Sequence, residues 1–241
     1  MASEQSKKGK VFLIPSVIAE NTSQKVTTPQ ILEVVKIIDY FLVENIRTAR
    51  RFISSLKVEK NIPDLEFEVL DKNTSAEEVK NLLLPVINGA DAGIISEAGC
   101  PGIADPGAVA VKYAHNYGIK VVPLVGPSSI LLALMASGFS GQSFVFHGYL
   151  PIEAKDREKS IKEIELMAIK KNQTQIFMET PYRNEKLFQD LLKYCRPDTL
   201  LCIAKDITGE NEYINTLPIS DWKSSAPEIQ KSPVIFLLSH F

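Results

Sequence analysis

The chain has 241 residues, with 27 basic and 29 acidic side chains and an apolar fraction of 45%. That length suits one large domain or two modest ones, the apolar fraction excludes disorder over most of the chain, and no apolar run reaches the roughly 18–20 residues that span a bilayer. A net charge of −2 leaves nucleic-acid binding to a local patch rather than to whole-chain attraction.

The N-terminus, MASEQSKKGK, is charged but lacks a following apolar h-region with a small-residue cleavage site, so no signal peptide is expected. Residues 1–9 are polar and expected to fray. KVFLIP (10–15) is a short apolar run ended by Pro15 and predicts a buried strand. A polar stretch covers 20–28. Thr28-Pro29 then has the form of an N-cap with proline at the first helical position, followed by Ile31, Val34, Val35 and Ile38 at helical spacing. YFLVEN (40–45) is a second strand candidate. Ser75 and Glu78 form a capping-box signature ahead of one amphipathic stripe, Val79, Leu82, Leu83 and Val86. DAGIIS (91–96) and IKVVPLV (119–125) predict strands on either side of a helix that opens at Asp105-Pro106 and stops at Gly118. Alternating strands and helices argue for a parallel sheet covered by helices.

The second half is less regular. PSSILLALMAS (127–137) is apolar nearly all round and predicts a buried helix. FVFHGYL (144–150) and QIFMET (175–180) predict strands, with a helix marked by Leu187, Phe188, Leu191, Leu192 and Cys195 after them. LLCIAKD (200–206), EYINTL (212–217) and PVIFLL (233–238) follow as consecutive strands, the sign of a mixed or antiparallel sheet. The change of pattern places a domain boundary at 123/124, giving domains 1–123 and 124–241. Cys100, Cys195 and Cys202 are odd in number and lack CxxC spacing, which excludes a disulfide framework and a zinc site and makes a reducing, cytoplasmic setting the default.

Two loops carry most of the information. SEAGCPGIADPG (96–107) follows a strand and precedes a helix. Gly99, Gly102 and Gly107 allow backbone angles and approaches that a Cβ would block, while Pro101 and Pro106 stiffen the same segment. Such a loop presents backbone groups at the carboxyl end of a strand, where open α/β sheets bind ligands; the plainer reading is a rigid connection. It is neither a Walker A motif nor GxGxxG. In VVPLVGPSSI (121–130) a strand runs through Gly126-Pro127 into a helix opened by Ser128 and Ser129, whose N–H groups either meet a ligand or are simply capped by serine.

SEAGCPGIADPG, VVPLVGPSS, FVFHGYLP, METPYR and IAKDITGENE, in this order, resemble the tetrapyrrole methylase family of S-adenosylmethionine-dependent methyltransferases over about residues 9–238. They are most similar to the branch that methylates a ribose 2′-hydroxyl in small-subunit ribosomal RNA, with its SDAGTPxxSDPG, PGPSA, FxGFLP, ESPHR and ARELT patterns. The resemblance implies two α/β domains, the first with a mainly parallel sheet and the second with a mixed sheet, S-adenosylmethionine (product S-adenosylhomocysteine) in the cleft between them, and a homodimer. It implies cofactor contacts at Gly99, Cys100, Pro101, Ile103, Ser128, Ser129, Met178 and Ala204, with another at Pro233. The departures fall elsewhere. The family's TPIGN reads SVIAE (16–20), keeping only the small residue as Ala19. Its AEDTRHT reads VENIRTA (43–49), keeping Glu44 and Arg47 and placing Asn45 where the family has aspartate. Its Gly-Glu before the last strand reads Lys231-Ser232.

Methyl transfer from a sulfonium is an in-line displacement with a neutral leaving group, so orientation dominates. A ribose hydroxyl is a poor nucleophile and is helped by a base. Glu44, Glu179 and Lys205 are the candidates, the lysine only if a low-dielectric site gives it a neutral amine; each also reads as a member of a structural ion pair. Arg47 and Arg183 are candidates to orient a phosphate or to pair with these carboxylates. Arg47, Arg50 and Arg51 share a face if their segment is helical, the best local basic patch. Lys155, Arg157, Lys159 and Lys162 alternate with acidic residues and predict a mixed-charge surface helix. His147 reads as a satisfied histidine in an apolar strand, and Cys195 and Cys202 as buried thiols. No EF-hand spacing and no HExxH occur, so no metal requirement is expected. Three functions follow: an RNA ribose methyltransferase, a methyltransferase acting on a tetrapyrrole precursor or other small molecule, and a cofactor-binding interaction module without turnover.

Overall fold

The structure is a computed structural model and describes residues 8–240. Most of the N-terminal stretch expected to fray, residues 1–7, lies outside the described residues. The chain divides into two compact units, 1–128 and 129–241.

The first unit contains β1 (Lys10–Ile14), α1 (Ser23–Val26), α2 (Pro29–Ile37), β2 (Tyr40–Val43), α3 (Ile46–Ser55), β3 (Glu66–Val69), α4 (Ala76–Leu82), α5 (Leu84–Ile87), β4 (Ala92–Ile95), α6 (Gly107–Asn116) and β5 (Lys120–Pro123). Its sheet has the order β3-β2-β4-β1-β5 and every pairing is parallel. Because β2 and β4 are buried on both faces, they read as continuous apolar runs. One sheet face packs Phe12, Ile14, Phe41 and Ile95 against α2 and α3. The other packs Val11, Leu42 and Ile94 against α4, α5 and α6. The connection leaving β1 therefore covers one face and the connection leaving β4 covers the other. These strands are neighbours, with Ile14 opposite Ile95, so the carboxyl ends of β1 and β4 form a topological switch point, the place where open α/β sheets take ligands.

Local expectations hold with instructive differences. The Ser75–Glu78 capping box is complete, Ser75 N donating to Glu78 Oε2 at 2.7 Å and Glu78 N to Ser75 Oγ at 3.3 Å. The single stripe behind it is two helices, because Pro85 cannot continue the ladder and the chain restarts after Leu83. Thr28 is the N-cap of α2, yet its hydroxyl donates to Val125 O at 3.4 Å rather than accepting from the helix. The polar stretch 20–28 contains the short helix α1. Strand β3 escaped the sequence reading because its EFEV pattern is an edge strand with exposed charges and only Phe67 turned to the core, stacked on Phe41 at 5.5 Å.

The second unit contains α7 (Ser129–Ser137), β6 (Phe144–Tyr149), α8 (Ala154–Lys171), β7 (Thr174–Glu179), α9 (Asn184–Tyr194), β8 (Leu200–Lys205), β9 (Tyr213–Pro218), α10 (Ile219–Trp222) and β10 (Val234–Ser239). Its sheet is mixed, in the order β6-β7-β10-β8-β9, with β6 parallel to β7 and all other pairs antiparallel. One face carries the larger core. There Phe177, Phe236 and Leu238 pack with Phe188, Leu191 and Trp222, and the indole Nε1 donates to Leu201 O at 2.9 Å.

Two expectations are corrected here. The uniformly apolar α7 is not buried all round: Ala133, Leu134 and Ser137 are buried, but Leu131 is 50% and Met135 78% exposed. The mixed-charge helix is α8, but Arg157 is not one of its surface charges; it is 4% exposed and faces Asp190 of α9. Elsewhere His147 Nε2 lies 2.7 Å from Gln175 Oε1. Cys195 and Cys202 are buried free thiols; burial pushes the Cys202 pKa up to about 11 and that of Cys195 higher still.

Candidate functional site

At the switch point of the first unit the loop 96–107 is fixed by its own hydrogen bonds. Ser16 N donates to Gly99 O at 3.0 Å, Ser16 Oγ to Ser96 O at 3.1 Å, and Ser96 Oγ to Gly99 O at 3.2 Å. The serine that opens SVIAE thus ties the β1 loop to the β4 loop. Gly99 and Gly102 have φ of +73° and +84°, and Ala104 has +60°, angles that favour glycine. Asp105 holds the return: its carboxylate accepts from Gly102 N at 2.8 Å and Gly107 N at 2.6 Å. Burial pushes its pKa up, against the lowering effect of those N–H groups. Ile103 is left 54% exposed at the tip.

The β5–α7 connection closes on the same loops. Cys100 Sγ donates to Pro127 O at 3.4 Å, and burial, helped by Asp105, raises its pKa and keeps the thiol protonated for that contact. A Cβ on Gly126 would stand 2.2 Å from Pro15 Cβ and 2.5 Å from Pro15 Cγ. Gly126→Ala is therefore expected to force the connection off Pro15 and to lower stability by about 1–3 kcal/mol in denaturant titration. Unchanged stability would show that the connection relaxes freely.

Glu44 follows β2, and its Oε1 accepts from Glu97 N at 3.1 Å. The side chain is half-buried. Burial raises its pKa, and the carboxylates of Asp105, Glu97 and Asp71 add to the rise against the lowering effect of the Glu97 N–H. Arg47 lies in the first turn of α3. Asn45, where the family has aspartate, is that helix's N-cap: its Oδ1 accepts from Arg47 N at 2.9 Å and Thr48 N at 3.3 Å. Arg47, Arg50 and Arg51 are all exposed along α3, with Arg50 also 5.2 Å over the Phe67 ring.

In the second unit strand register sorts the candidates by face. Ile235 pairs with Met178 on one side and Ala204 on the other, so these three share a row. Val234 pairs with Glu179 and Lys205, the adjacent row. Successive strand residues point to opposite faces. Met178 and Ala204 thus lie on the face covered by α7, which Ser129 opens. Glu179 and Lys205 lie on the opposite face, with the larger core. Glu179 is 5% exposed and its Oε1 takes Arg183 Nη2 at 2.6 Å, Arg183 Nε at 3.0 Å and Thr180 N at 2.6 Å. Lys205 Nζ donates to Glu228 O at 3.0 Å. Pro233 enters β10 and its carbonyl accepts from Asp206 N at 3.0 Å.

The structure therefore gathers Gly99, Cys100, Pro101, Ile103, Glu44 and Arg47 at one sheet edge of the first unit, where Ser128 follows Pro127. It separates Glu179, Arg183 and Lys205 from Met178 and Ala204 within the second. Asp105, Ser16 and Asn45 escaped the sequence reading as functional positions. Each holds a loop through backbone groups; only the Asp-Pro-Gly run hinted at the first.

No protein-family model matches the chain. It is 30% identical over 214 residues to the ribosomal RNA small subunit methyltransferase I of Vibrio cholerae, covering 88% of this chain and 71% of that protein. It is 30% identical over 181 residues to the protein of the same name from Thermotoga maritima, covering 75% of this chain and 77% of that one. It is 25% identical over 239 residues to that from Escherichia coli O157:H7, covering 98% and 79%. Among solved structures it resembles the uroporphyrin-III-C-methyltransferase of Thermus thermophilus, with TM-score 0.57, 17% identity and coverage of 97% of this chain and 93% of that one. It also resembles the methyltransferase CobJ, with TM-score 0.64, 15% identity and coverage of 96% and 94%. At these identities the structural likeness shows the fold alone, two α/β units.

Proposed function

The chain belongs to the family of the ribosomal RNA small subunit methyltransferases I, and from that premise we propose that it methylates a ribose 2′-hydroxyl of small-subunit ribosomal RNA, with S-adenosylmethionine as donor and Glu44 as the group that receives the hydroxyl proton. The observation that carries the assignment is the position of Glu44: a half-buried carboxylate with raised pKa, hydrogen-bonded to the glycine-rich loop at the switch point. A raised pKa makes a carboxylate a stronger base.

The residues present suit the cofactor. The loop 99–103 offers backbone groups at two positive-φ glycines and an exposed Ile103, a surface for an uncharged adenosine moiety. Gly99 is needed for that shape, since a Cβ there would stand 3.2 Å from Ile18 and 3.4 Å from Pro127 O. The proposed contacts are Gly99, Cys100, Pro101, Ile103 and Ser128 on the first unit, and Ser129, Met178, Ala204 and Pro233 on the second. When bound, the cofactor supplies an electrophilic methyl on a sulfonium whose departure as a thioether needs no acid. The chain's own part is orientation and one proton: Glu44 accepts it, Arg47 steers a backbone phosphate, and the Asp105-pinned loop keeps its shape without reorganising. Arg183, paired with Glu179, is assigned to structure in this reading. A cytoplasmic setting and a homodimer complete it.

Calorimetric titration with S-adenosylhomocysteine, followed by methylation of ribosomal RNA, tests the proposal. Saturable binding that is lost in Pro101→Glu, and methyl incorporation at a ribose of the small-subunit RNA, are expected. Binding without incorporation into any RNA would favour a small-molecule acceptor. The absence of binding at millimolar ligand would overturn the methyltransferase assignment for the isolated chain.

A further inference from the structure

Within the first unit a pocket of about 190 Å³ opens beside the start of the 96–107 loop, walled by the β1 loop, the carboxyl end of β4 and α3. Its floor is apolar, with Ala49, Phe52 and Ile95 all buried. Its rim is polar. Glu20 and Glu97 bring exposed carboxylates, Arg51 an exposed guanidinium and Ser55 a hydroxyl. The volume lies below the roughly 300 Å³ where drug-sized pockets begin. It admits one heterocyclic ring system. Two rim carboxylates repel an anion, so the phosphate of a nucleotide does not belong inside. They do match an exocyclic amine, a donor they accept from, while Arg51 matches a ring carbonyl or ring nitrogen.

The wall is also where this chain leaves the family pattern. Four of the residues bounding the pocket, Ser16, Val17, Glu20 and Asn21, lie in or directly after SVIAE. Asn21 turns the chain there with φ of +60°. Outside the rim, Arg47 stands one helical turn before Arg51 on the exposed side of α3, where a sugar-phosphate backbone leading away from the pocket would meet positive charge.

We infer that this pocket is a base-reading site: it takes a single unpaired, amine-bearing nucleobase of the RNA substrate, edge towards Glu20, Glu97 and Arg51, with the backbone on Arg47. The inference rests on the RNA-methyltransferase reading and adds to it the element that chooses where on the RNA the chain engages. Single-stranded RNA is read in this way, by splaying out a base and bonding its polar edge.

The test is fluorescence anisotropy of the whole protein, loaded with S-adenosylhomocysteine, against short oligocytidylate, oligoadenylate and oligouridylate. The amine-bearing oligomers are expected to bind about 10-fold more tightly than oligouridylate, the usual size of one edge-reading contact. The double variant Glu20→Ala, Glu97→Ala, both exposed in the folded chain, is expected to bring the ratio close to one. Ser55→Trp, which fills the mouth from the α3 side, is expected to weaken the amine-bearing oligomers and leave oligouridylate unchanged. Equal binding of all three by the unaltered protein, or a preference that survives both variants, overturns the base-reading site. Calorimetry with S-adenosylhomocysteine on the same samples separates the two levels. Intact cofactor binding with no base preference removes the pocket assignment alone, whereas absent cofactor binding removes the methyltransferase reading on which it rests.

Discussion

Glu44→Gln is expected to lower single-turnover methyl transfer by roughly 10²–10⁴-fold, the range of a positioned general base, while affinity for S-adenosylhomocysteine stays unchanged. Glutamine keeps an oxygen that accepts from Glu97 N, so the loop survives and the loss falls on the proton acceptor. The pH profile separates this role from a structural one. The ionised form of Glu44 is the base, so the rate falls as pH drops through its folded pKa. That pKa lies above the ordinary 4.5 because of burial and the neighbouring carboxylates of Asp105, Glu97 and Asp71; Lys72 lies in the same recess. The variant is expected to lose this acidic limb as well as its rate. Stability moves the other way. A carboxyl whose folded pKa is raised makes its ionised form unfavourable to the fold, and that penalty is present at neutral pH and disappears as pH falls through the folded pKa. The glutamine variant lacks it and is expected to be no less stable than the unaltered protein at pH 7. A rate within a few-fold of normal, with the acidic limb intact, would remove Glu44 from the chemistry and leave orientation as the whole of catalysis.

The sequence was most informative where a local rule and the tertiary structure agree. Runs such as FLV at 41–43 and GII at 93–95 have no polar alternation because helices cover both faces of their strands. The Ser75 capping box and the Gly118 stop are readable because each satisfies backbone groups within a few residues. Strand register is different in kind. That Met178 and Ala204 face α7 while Glu179 and Lys205 face the larger core depends on both flanking Ile235 and Val234 in β10, about 30 residues beyond Lys205 and 55 beyond Glu179. No local pattern encodes that pairing, so three carboxylate and amine candidates stood level in the sequence and only one stands beside the glycine loop in the structure. Asp105 shows the same limit: its residue type suits a helix start, but only the folded loop shows that it pins Gly102 and Gly107.

Arg157 is the sharpest such case, and its removal is expected to be the most damaging single change in the second unit. Its charge alternates with acidic neighbours exactly as a solvated helix would have it in sequence terms, yet the side chain is enclosed.

 Arg157 Nε donates to Asp190 Oδ2 at 2.7 Å, Nη2 stands 2.7 Å from the same oxygen as its ion-pair partner, and Nη1 donates to the carbonyls of Pro151 and Ile152. One guanidinium thus joins α8 to α9 and closes the β6–α8 turn. Arg157→Ala leaves Asp190 charged with its side chain only 19% exposed, and strands two carbonyls. Breaking a buried pair from one side costs about 3–5 kcal/mol, and the residual exposure of Asp190 places this case near the lower figure. For a chain of this size that corresponds to a fall of roughly 6–12 °C in the unfolding midpoint. A double-mutant cycle separates the pair from the packing of the arginine stem. If the stranded charge dominates, Asp190→Leu on the Arg157→Leu background recovers much of the loss, because an apolar pair of similar volume needs no hydrogen bonds. If instead the two single losses add, the interaction is screened by water, and the enclosed arginine contributes through its packing alone.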